Sequence, residues 1–169
     1  IIETMSFNKL NPVMVAIATA DVAEIRIDPI WKHRSLYARR TFGAEEVIVE
    51  FAARQVHTTP NYLTIQIGDN KHIELFPEFL ECTNHSCDPN CFFDTSSMRL
   101  ISTKPIEEGD ELTFFYPSTE WEMDRAFQCT CGSRNCIGLI QGAKFLAEEK
   151  LKQYRLTEFI EQKLASRFQ

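Results

Sequence analysis

Three cysteines follow one another in the pattern Cys-x-Cys-x4-Cys at Cys129, Cys131 and Cys136. Structural zinc takes four thiolate or imidazole ligands in a tetrahedron, so a fourth ligand must come from elsewhere in the chain. The candidates are Cys82, Cys87, Cys91 and His85. The spacing favours zinc over a set of reduced, partly buried thiols. Disulfides come third, because six cysteines in 169 residues is too low a density for a disulfide scaffold.

Two further stretches carry residues that could do chemistry. Residues 84–90, "NHSCDPN", are turn-forming residues around Cys87. Residues 108–116, "EGDELTFFY", end a candidate strand on Tyr116. A tyrosine at the end of a strand is most often a packing residue, and a histidine such as His85 is most often buried and satisfied by backbone groups. The chemistry of both therefore depends on what the fold brings beside them.

Composition limits the class of protein. The chain is 44% hydrophobic and 25% charged, which is ordinary for one globular domain of this length. No apolar run approaches the length of a membrane span, and no signal peptide is visible, so we expect an intracellular protein with no membrane partner. The formal net charge of −6 argues against a general nucleic-acid binder and is compatible with a basic peptide partner.

The secondary structure expected around these residues consists mostly of short strands. Residues 13–27 predict two strands with a break at 19–21, and residues 62–75 predict a hairpin around the turn at 68–71. Further strands are expected in 35–42, 46–54, 91–94, 98–103 and 111–116, and one helical turn is expected behind Pro77. Helices are expected at 143–154 and after Thr157, a candidate N-cap. The class is mainly β with a short helical tail.

Three motifs occur in order: "TNHSCDPNC" at 83–91, "GDELTFFY" at 109–116 and "CTCGSRNCIG" at 129–138. On these motifs the chain resembles the SET-domain lysine methyltransferases that carry a post-SET zinc loop. The resemblance runs from about Trp31 to Leu139. It implies a fold of small curved β-sheets in which the Asn-His segment threads a loop in a knot-like way. It also implies that Cys87 is the fourth ligand of a structural zinc ion held with Cys129, Cys131 and Cys136.

The resemblance divides the chain into four parts. Residues 1–30 would form an N-terminal β segment packed on the core, and residues 31–117 the SET domain. Residues 118–142 would form the post-SET zinc-binding segment, and residues 143–169 the C-terminal helical tail. Cys82 and Cys91 have no role in such a zinc site, so we interpret them as free thiols.

The activity that the resemblance implies is methyl transfer from S-adenosylmethionine to a lysine amine of a basic protein or peptide. A narrow aromatic channel would desolvate the ammonium and so lower its pKa. Tyr116 is expected to orient the amine as a catalytic residue, and Tyr62 matches a second tyrosine of the cofactor and lysine site. Phe114 matches a channel position at which phenylalanine leaves room for di- or trimethylation.

The resemblance also implies a set of cofactor-binding residues. These are His33, Arg34, Ser35, Tyr62, Asn84, His85 and Thr130. Two positions depart from the family pattern, because His33 and Ser35 stand where the cofactor loop usually has glycines, and their side chains could narrow or reshape that loop. Glu81 likewise stands where an arginine is usual. Two alternatives remain open: a non-catalytic, zinc-stabilised binding module, and an enzyme of the same fold that acts on a small amine.

Overall fold

The computed structural model describes residues 14–168 of the chain. Within this range short strands form four small sheets, with a few short helices, which confirms the mainly β class. The first part of the expected N-terminal segment, residues 1–13, lies outside the described residues. No helix between residues 14 and 168 is long and apolar enough to cross a membrane.

The first sheet is an antiparallel meander in the order β1-β2-β3. Its strands are β1 (Val15–Thr19), β2 (Ala23–Ile27) and β3 (Arg34–Ala38). The predicted break between the first two strands is confirmed. The β2–β3 turn is closed by the Asp28 side chain, which accepts hydrogen bonds from the backbone N–H groups of Ile30 and Trp31 at 2.7 Å each. This turn holds residues 33–35 at the start of β3.

The second sheet has the order β4-β10-β9-β11-β8. Its strands are β4 (Val47–Glu50), β10 (Arg99–Ser102), β9 (Cys91–Asp94), β11 (Thr113–Phe114) and β8 (Asn84–His85). Strand β11 is much shorter than the stretch 111–116 expected. It runs parallel to both β8 and β9, which joins the second motif to the first. The knot-like threading of the Asn-His segment stays a prediction.

The third sheet has the order β5-β7-β6, from β5 (Ala52–His57), β6 (Thr64–Gly68) and β7 (Lys71–Phe76). It confirms the predicted hairpin and its turn. Strand β6 starts at Thr64, however, so the expectation that Tyr62 lies in this strand is wrong. The expected strand at 46–54 is two strands of different sheets, β4 and β5, which part at the buried Phe51.

A 3-10 helix spans Glu78–Cys82 directly after Pro77, as the sequence predicts, and another spans Tyr116–Ser118. The fourth sheet pairs β12 (Phe127–Gln128) with β13 (Leu139–Ile140) in antiparallel fashion. It closes the loop that carries the three cysteines of the third motif.

The expected helix at 143–154 is wrong in its extent. The chain forms a 3-10 helix over Ala143–Phe145, then α1 over Glu148–Leu151. Leu146 between them is extended, with φ −105° and ψ 148°, and packs beside the fully buried Ala143 and Leu151. Burial of these apolar residues against the domain outweighs the local helix preference of the sequence.

The second expected helix is confirmed as α2 (Glu158–Ala165), followed by a 3-10 helix over Ser166–Phe168. Thr157 stands at its N-cap, but the hydroxyl does not cap the helix. It donates instead to the carbonyl oxygen of Ser118 at 2.9 Å, which fastens the helical tail to the segment after Tyr116.

The interior has a main core and a smaller one. The main core joins the first three sheets through Leu36, Phe42, Ile73, Leu75, Leu80, Phe93, Leu100, Ile106 and Leu112. The smaller core packs the helical tail on Phe115 through Ala143, Leu151 and Ile160. Phe115 and Tyr116 are thus held from opposite sides by different parts of the chain.

Candidate functional site

Four cysteine side chains from two distant segments meet at one point. The Sγ atoms of Cys87, Cys129, Cys131 and Cys136 all lie within 4.8 Å of one another. The Sγ atoms of Cys87 and Cys129 are 3.9 Å apart. A tetrahedron with Zn–S bonds of about 2.3 Å has edges of about 3.8 Å, so the four thiols fit a structural zinc ion. Cys82 and Cys91 are buried free thiols outside this cluster.

Nitrogen–hydrogen donors point at the sulfur atoms of the cluster. The backbone N–H of Ile137 lies 3.5 Å from the Sγ of Cys87, and that of Cys131 lies 3.4 Å from the Sγ of Cys129. Burial raises the pKa of the Cys87 thiol and raises that of Cys129 to about 11. A cation is therefore needed to hold these two sulfurs as thiolates at neutral pH, and the donors suit the thiolates of a metal complex.

His85 links the cysteine cluster to the second motif. Its Nδ1 accepts the backbone N–H of Tyr116 at 3.2 Å, and its Nε2 lies 3.2 Å from the Sγ of Cys87. Because Nδ1 accepts, the ring proton is on Nε2, which donates to the sulfur. Burial lowers the pKa of His85 to about 4, so the ring is neutral at physiological pH. Both ring nitrogens are occupied, which leaves the backbone of His85 for a ligand.

A cavity of about 650 Å³ runs beside these segments. One end is lined by Phe114 and Tyr116, whose rings are 4.7 Å apart. Tyr116 donates its hydroxyl to the carbonyl oxygen of Thr83 at 3.4 Å. Burial, followed by the negative charges of Glu120 and Glu111, raises the pKa of Tyr116 well above its usual value. The tyrosine is therefore a neutral hydrogen-bonding group in an aromatic, largely desolvated end of the cavity.

The substituted loop at 33–35 also forms part of the cavity wall, which His33 and Ser35 line. Ser35 is only 4% exposed, and its hydroxyl accepts a hydrogen bond from Asn84 Nδ2 at 2.8 Å. The backbone of Lys32, with φ 58°, takes the left-handed conformation of this turn, and neither His33 nor Ser35 does. Glycine's freedom is thus not required at 33 or 35 in this chain, and Ser35 instead adds a hydrogen bond to the Asn84 side chain.

The same network involves two more residues. Asn84 Nδ2 also lies 3.0 Å from the carbonyl oxygen of Arg34 and 3.0 Å from Glu111 Oε1. These acceptors use the hydrogens of the amide nitrogen. The Asn84 side chain can therefore offer a ligand in the cavity only its amide oxygen. The side chain of Arg34 is exposed and is not part of the cavity wall, so Arg34 takes part through its backbone.

The remaining expected site residues lie on the rim. Thr130, between two cysteines of the cluster, is exposed and lines the cavity. Tyr62 also lines it, but its side chain is 83% exposed in the turn before β6. Tyr116 and Tyr62 therefore share one cavity in very different surroundings, the first desolvated and the second open to water. Glu81, at the place of the usual arginine, pairs with Arg54 at 2.9 Å.

Three residues of this region, Glu111, Glu120 and Tyr154, have no role in the predictions from sequence. Glu111 lies within a quoted motif, whereas Glu120 and Tyr154 lie outside all three. Tyr154 stacks on Phe115, with ring centroids 3.7 Å apart, and donates its hydroxyl to the carbonyl oxygen of Cys87 at 2.9 Å. The only sequence signal for Glu120 is that an acidic residue follows Tyr116 by four positions. Tyr154 has no sequence signal, because its partner Cys87 is 67 residues away.

Comparison with known proteins adds independent findings. A model of the family described as "SET domain" matches residues 33–117, half of the chain. The chain is 44% identical over 108 residues to "Methyltransferase flvH" of Aspergillus flavus, which is 63% of this chain and 60% of that protein. It is 28% identical over 145 residues to the "Histone-lysine N-methyltransferase, H3 lysine-36 specific" of Emericella nidulans, which is 73% of this chain and 14% of that protein.

A solved structure has the same fold. It is the crystal structure of KRYPTONITE in complex with mCHG DNA and SAH, with a TM-score of 0.50 and 22% sequence identity over 63% of this chain and 26% of that one. The matched part of the chain thus spans 60% of the length of the Aspergillus flavus protein and at most about a quarter of the other two. The solved structure shares the fold, and the region that the SET domain model matches, residues 33–117, contains the first two motifs.

Proposed function

The chain belongs to the SET domain family, and on this premise we propose that it is a methyltransferase that uses S-adenosylmethionine and methylates the side-chain amine of lysine in a basic protein or peptide. One observation carries the proposal. A single cavity has Phe114 and Tyr116 at its desolvated end and the Asn84-His85 segment, the 33–35 loop and the cysteine-bearing tail along the rest of its wall.

Each end of this cavity suits one reactant. The sulfonium of S-adenosylmethionine is already activated, so the protein needs a neutral amine, in-line geometry and exclusion of water. The aromatic end supplies the last two, with Tyr116 orienting the amine and Phe114 leaving room for more than one methyl group. The amide oxygen of Asn84, the backbone of His85 and the rim residues Thr130 and Tyr62 would contact the cofactor. His33 and Ser35 would line its pocket.

The zinc ion belongs to the same proposal. Cys87, Cys129, Cys131 and Cys136 would hold it, and bound zinc would supply structural cross-linking and no reaction step. Cys87 follows the Asn84-His85 segment directly. Zinc at Cys87 would therefore hold the tail, with Thr130 and Phe127, against the rest of the cavity wall.

The first test is cofactor binding, measured by isothermal titration calorimetry with S-adenosylmethionine and S-adenosylhomocysteine. We expect saturable binding of both with one site per chain. The absence of heat and of any thermal shift with either compound would contradict the proposal. It would favour the second candidate, a zinc-stabilised binding module, for which the serine and histidine at the usual glycine positions are the supporting observation.

The second test is transfer of label from S-adenosylmethionine carrying a tritiated methyl group. We expect incorporation into lysine-containing basic peptides and more than one methyl group per lysine by mass spectrometry. The same assay with n-butylamine and free lysine tests the small-amine alternative. Label in the small amines but in no peptide would replace the protein substrate with a small one and leave the methyltransferase proposal in place.

A further inference from the structure

A buried carboxyl group forms part of the cavity wall beside Tyr116. Glu120 is only 6% exposed and lines the same cavity as Phe114 and Tyr116. Its Oε1 accepts the backbone N–H of Gln66 at 2.8 Å and the hydroxyl of Thr119 at 3.1 Å. Over residues 14–168, Oε2 receives no hydrogen bond and no cation pairs with Glu120. One oxygen of a buried carboxyl is thus without a partner.

The other acidic groups of the cavity wall are less buried than Glu120, and some of them pair with a cation. Glu81 pairs with Arg54, and Glu111 accepts from Asn84. Asp124 is on the exposed rim beside Arg125, which is the cationic side chain nearest to it, at 3.9 Å. Glu120 is therefore the most buried acidic group of the wall, and over residues 14–168 neither it nor Glu111, whose partner Asn84 is neutral, pairs with a cation.

The groups that face Glu120 come from two elements and do not neutralise it. Strand β6 contributes Gln66, a neutral amide whose Oε1 accepts the backbone N–H of Trp121 at 2.9 Å. The segment of Glu120 itself contributes Thr119 and Tyr116, both neutral. The charge of Glu120 raises the pKa of Tyr116, next in size after burial, and the Glu111 charge adds a smaller effect. The surroundings are therefore uncharged or negative.

A structural role accounts for Oε1 of Glu120 and leaves Oε2 unexplained. Strand β6 is an edge strand, and Glu120 Oε1 satisfies the N–H of Gln66 there. The amide oxygen of a glutamine would do the same without the desolvation of a charge. Burial raises the pKa of Glu120 to about 7, so the carboxyl titrates near neutral pH. A buried group with these properties is matched to proton transfer or to a cationic ligand.

We propose that Glu120 is a catalytic residue, which binds the substrate's ammonium group through Oε2 and removes its proton before methyl transfer. This assignment rests on the proposed function. The ammonium N–H bond breaks, the proton passes to Oε2 and the carboxyl becomes neutral. The amine's free electron pair then forms the bond to the methyl carbon while the carbon–sulfur bond breaks and its electrons go to sulfur. The product leaves as a methylammonium ion, and Glu120 releases its proton to water.

The proposal defines the substrate as a primary or partly methylated aliphatic amine that arrives as a cation. An ammonium of this kind has a pKa of about 10.4 in water, so it is charged when it reaches the cavity. Desolvation between the aromatic rings lowers that value and favours transfer to a carboxyl that burial has made more basic. The negative wall also attracts cations to the cavity.

The first experiment measures binding without turnover. The probe is n-butylamine, a mimic of the lysine side chain, titrated calorimetrically into protein saturated with S-adenosylhomocysteine at about pH 8, where Glu120 is ionised. We expect Glu120→Gln to weaken binding by about tenfold or more. Equal affinity in the two proteins, or no binding of butylammonium to the wild type, would overturn the proposal. The matched control is Glu122→Gln, an exposed carboxylate two positions away that pairs with Lys144; we expect it to bind as the wild type does.

The second experiment measures the pH profile of methyl transfer. For the wild type we expect kcat/KM to fall as the pH drops through about 7, because protonated Glu120 neither binds nor deprotonates the ammonium. In Glu120→Gln we expect turnover to fall by about 100-fold or more, this limb to vanish, and activity to recover partly towards the pKa of the amine itself. A structural role alone would change the rate and keep the limb. Wild-type turnover with an unchanged profile in the variant would refute the assignment.

These outcomes separate the two proposals. A wild-type protein that transfers methyl groups while Glu120→Gln behaves identically refutes the role of Glu120 and keeps the methyltransferase. A wild-type protein that binds neither cofactor nor amine refutes both. Thermal unfolding of each variant shows that it is folded, and Glu120→Gln retains the acceptor for Gln66, so loss of folding is not the expected cause of its defect.

Discussion

The aromatic end of the cavity and its cysteine-bearing wall are built in different ways. The aromatic end stands on β11, which is paired on both sides within a five-stranded sheet and backed by Phe93 and Phe115. The cysteine-bearing wall consists of a two-stranded sheet and a loop whose residues are mostly exposed. Hydrophobic packing holds the first end. The second has few buried apolar contacts and depends on whatever the four thiols bind.

One part of the cavity wall is therefore held by packing, and the other depends on ion binding. Phe114 and Tyr116 keep their positions through sheet pairing, ring packing and the His85 hydrogen bond. Phe127 lies beside the His85 and Tyr116 rings, with centroids 5.9 Å apart, whereas Thr130 would keep its position only while a bound ion fastens the tail to Cys87. Binding of a single ion would therefore complete the cavity wall. Variants in the two parts of the wall should differ accordingly.

The largest expected effect is from removal of zinc. Because the binding energy of a structural zinc ion is folding energy, on the order of 10 kcal/mol in small domains, chelation should unfold the tail and abolish methyl transfer. Hydrogen exchange should show lost protection at residues 127–140 and retained protection in β9 and β10. Metal analysis should give one zinc per chain in the wild type and in the Cys91→Ala control, and none in Cys136→Ser. Full activity in a protein verified as zinc-free would show that the cysteine-bearing wall does not depend on the ion.

The next largest effect is expected from Tyr116→Phe, at the rigid end. The variant keeps the ring packing and loses a preorganised hydroxyl, so kcat should fall by about 100-fold or more with cofactor affinity unchanged. Tyr62→Phe, at the exposed rim, should lower kcat by much less. Steady-state kinetics and calorimetry measure both. Wild-type turnover in Tyr116→Phe would remove its hydroxyl from the mechanism, and an equal loss in the two variants would erase the contrast between them.

A smaller effect is expected on stability from Glu120→Gln. Burial raises the pKa of Glu120 from 4.5 to about 7 in the folded protein, so the folded state binds the proton more tightly than the unfolded chain. Wild-type stability should therefore decrease as the pH rises from about 4.5 to 7, and the variant should lack this contribution. Between about pH 5 and pH 8 the variant should gain about 2 to 3 kcal/mol relative to the wild type in urea unfolding. A constant difference between the two proteins would contradict the buried, raised carboxyl.

The smallest effect is expected from Tyr154→Phe, which tests the link between the helical tail and the segment that carries Cys87. The ring still stacks on Phe115, but the hydrogen bond to the Cys87 carbonyl is lost, at about 1 kcal/mol. Thermal unfolding of the zinc-loaded protein should show this loss, and the rate of zinc release to a chelator should increase. Unchanged zinc release would mean that the tail and the helical segment are fastened independently.

Much of the fold could be predicted because its signals are local. Alternation along 62–75 and the Gly68 turn predict a hairpin from a few neighbouring residues, and the hairpin is present. The helix expected at 143–154 failed because helix preference is weak compared with the burial of Ala143 and Leu151. Tyr62 was misplaced for a related reason, since the boundary of a strand depends on which partner it pairs with.

The sequence by itself determined which side chains could form the site. The Cys-x-Cys-x4-Cys spacing indicates three of the cysteines, and the family resemblance of the three motifs implies Cys87 as the fourth. These are the four that cluster. Only the tertiary structure decided the electrostatic state of that site. The burial of Glu120, the tautomer of His85 and the contact of Tyr154 with Cys87 arise between segments far apart in sequence, and desolvation is a property of the packed surroundings, which no local pattern encodes.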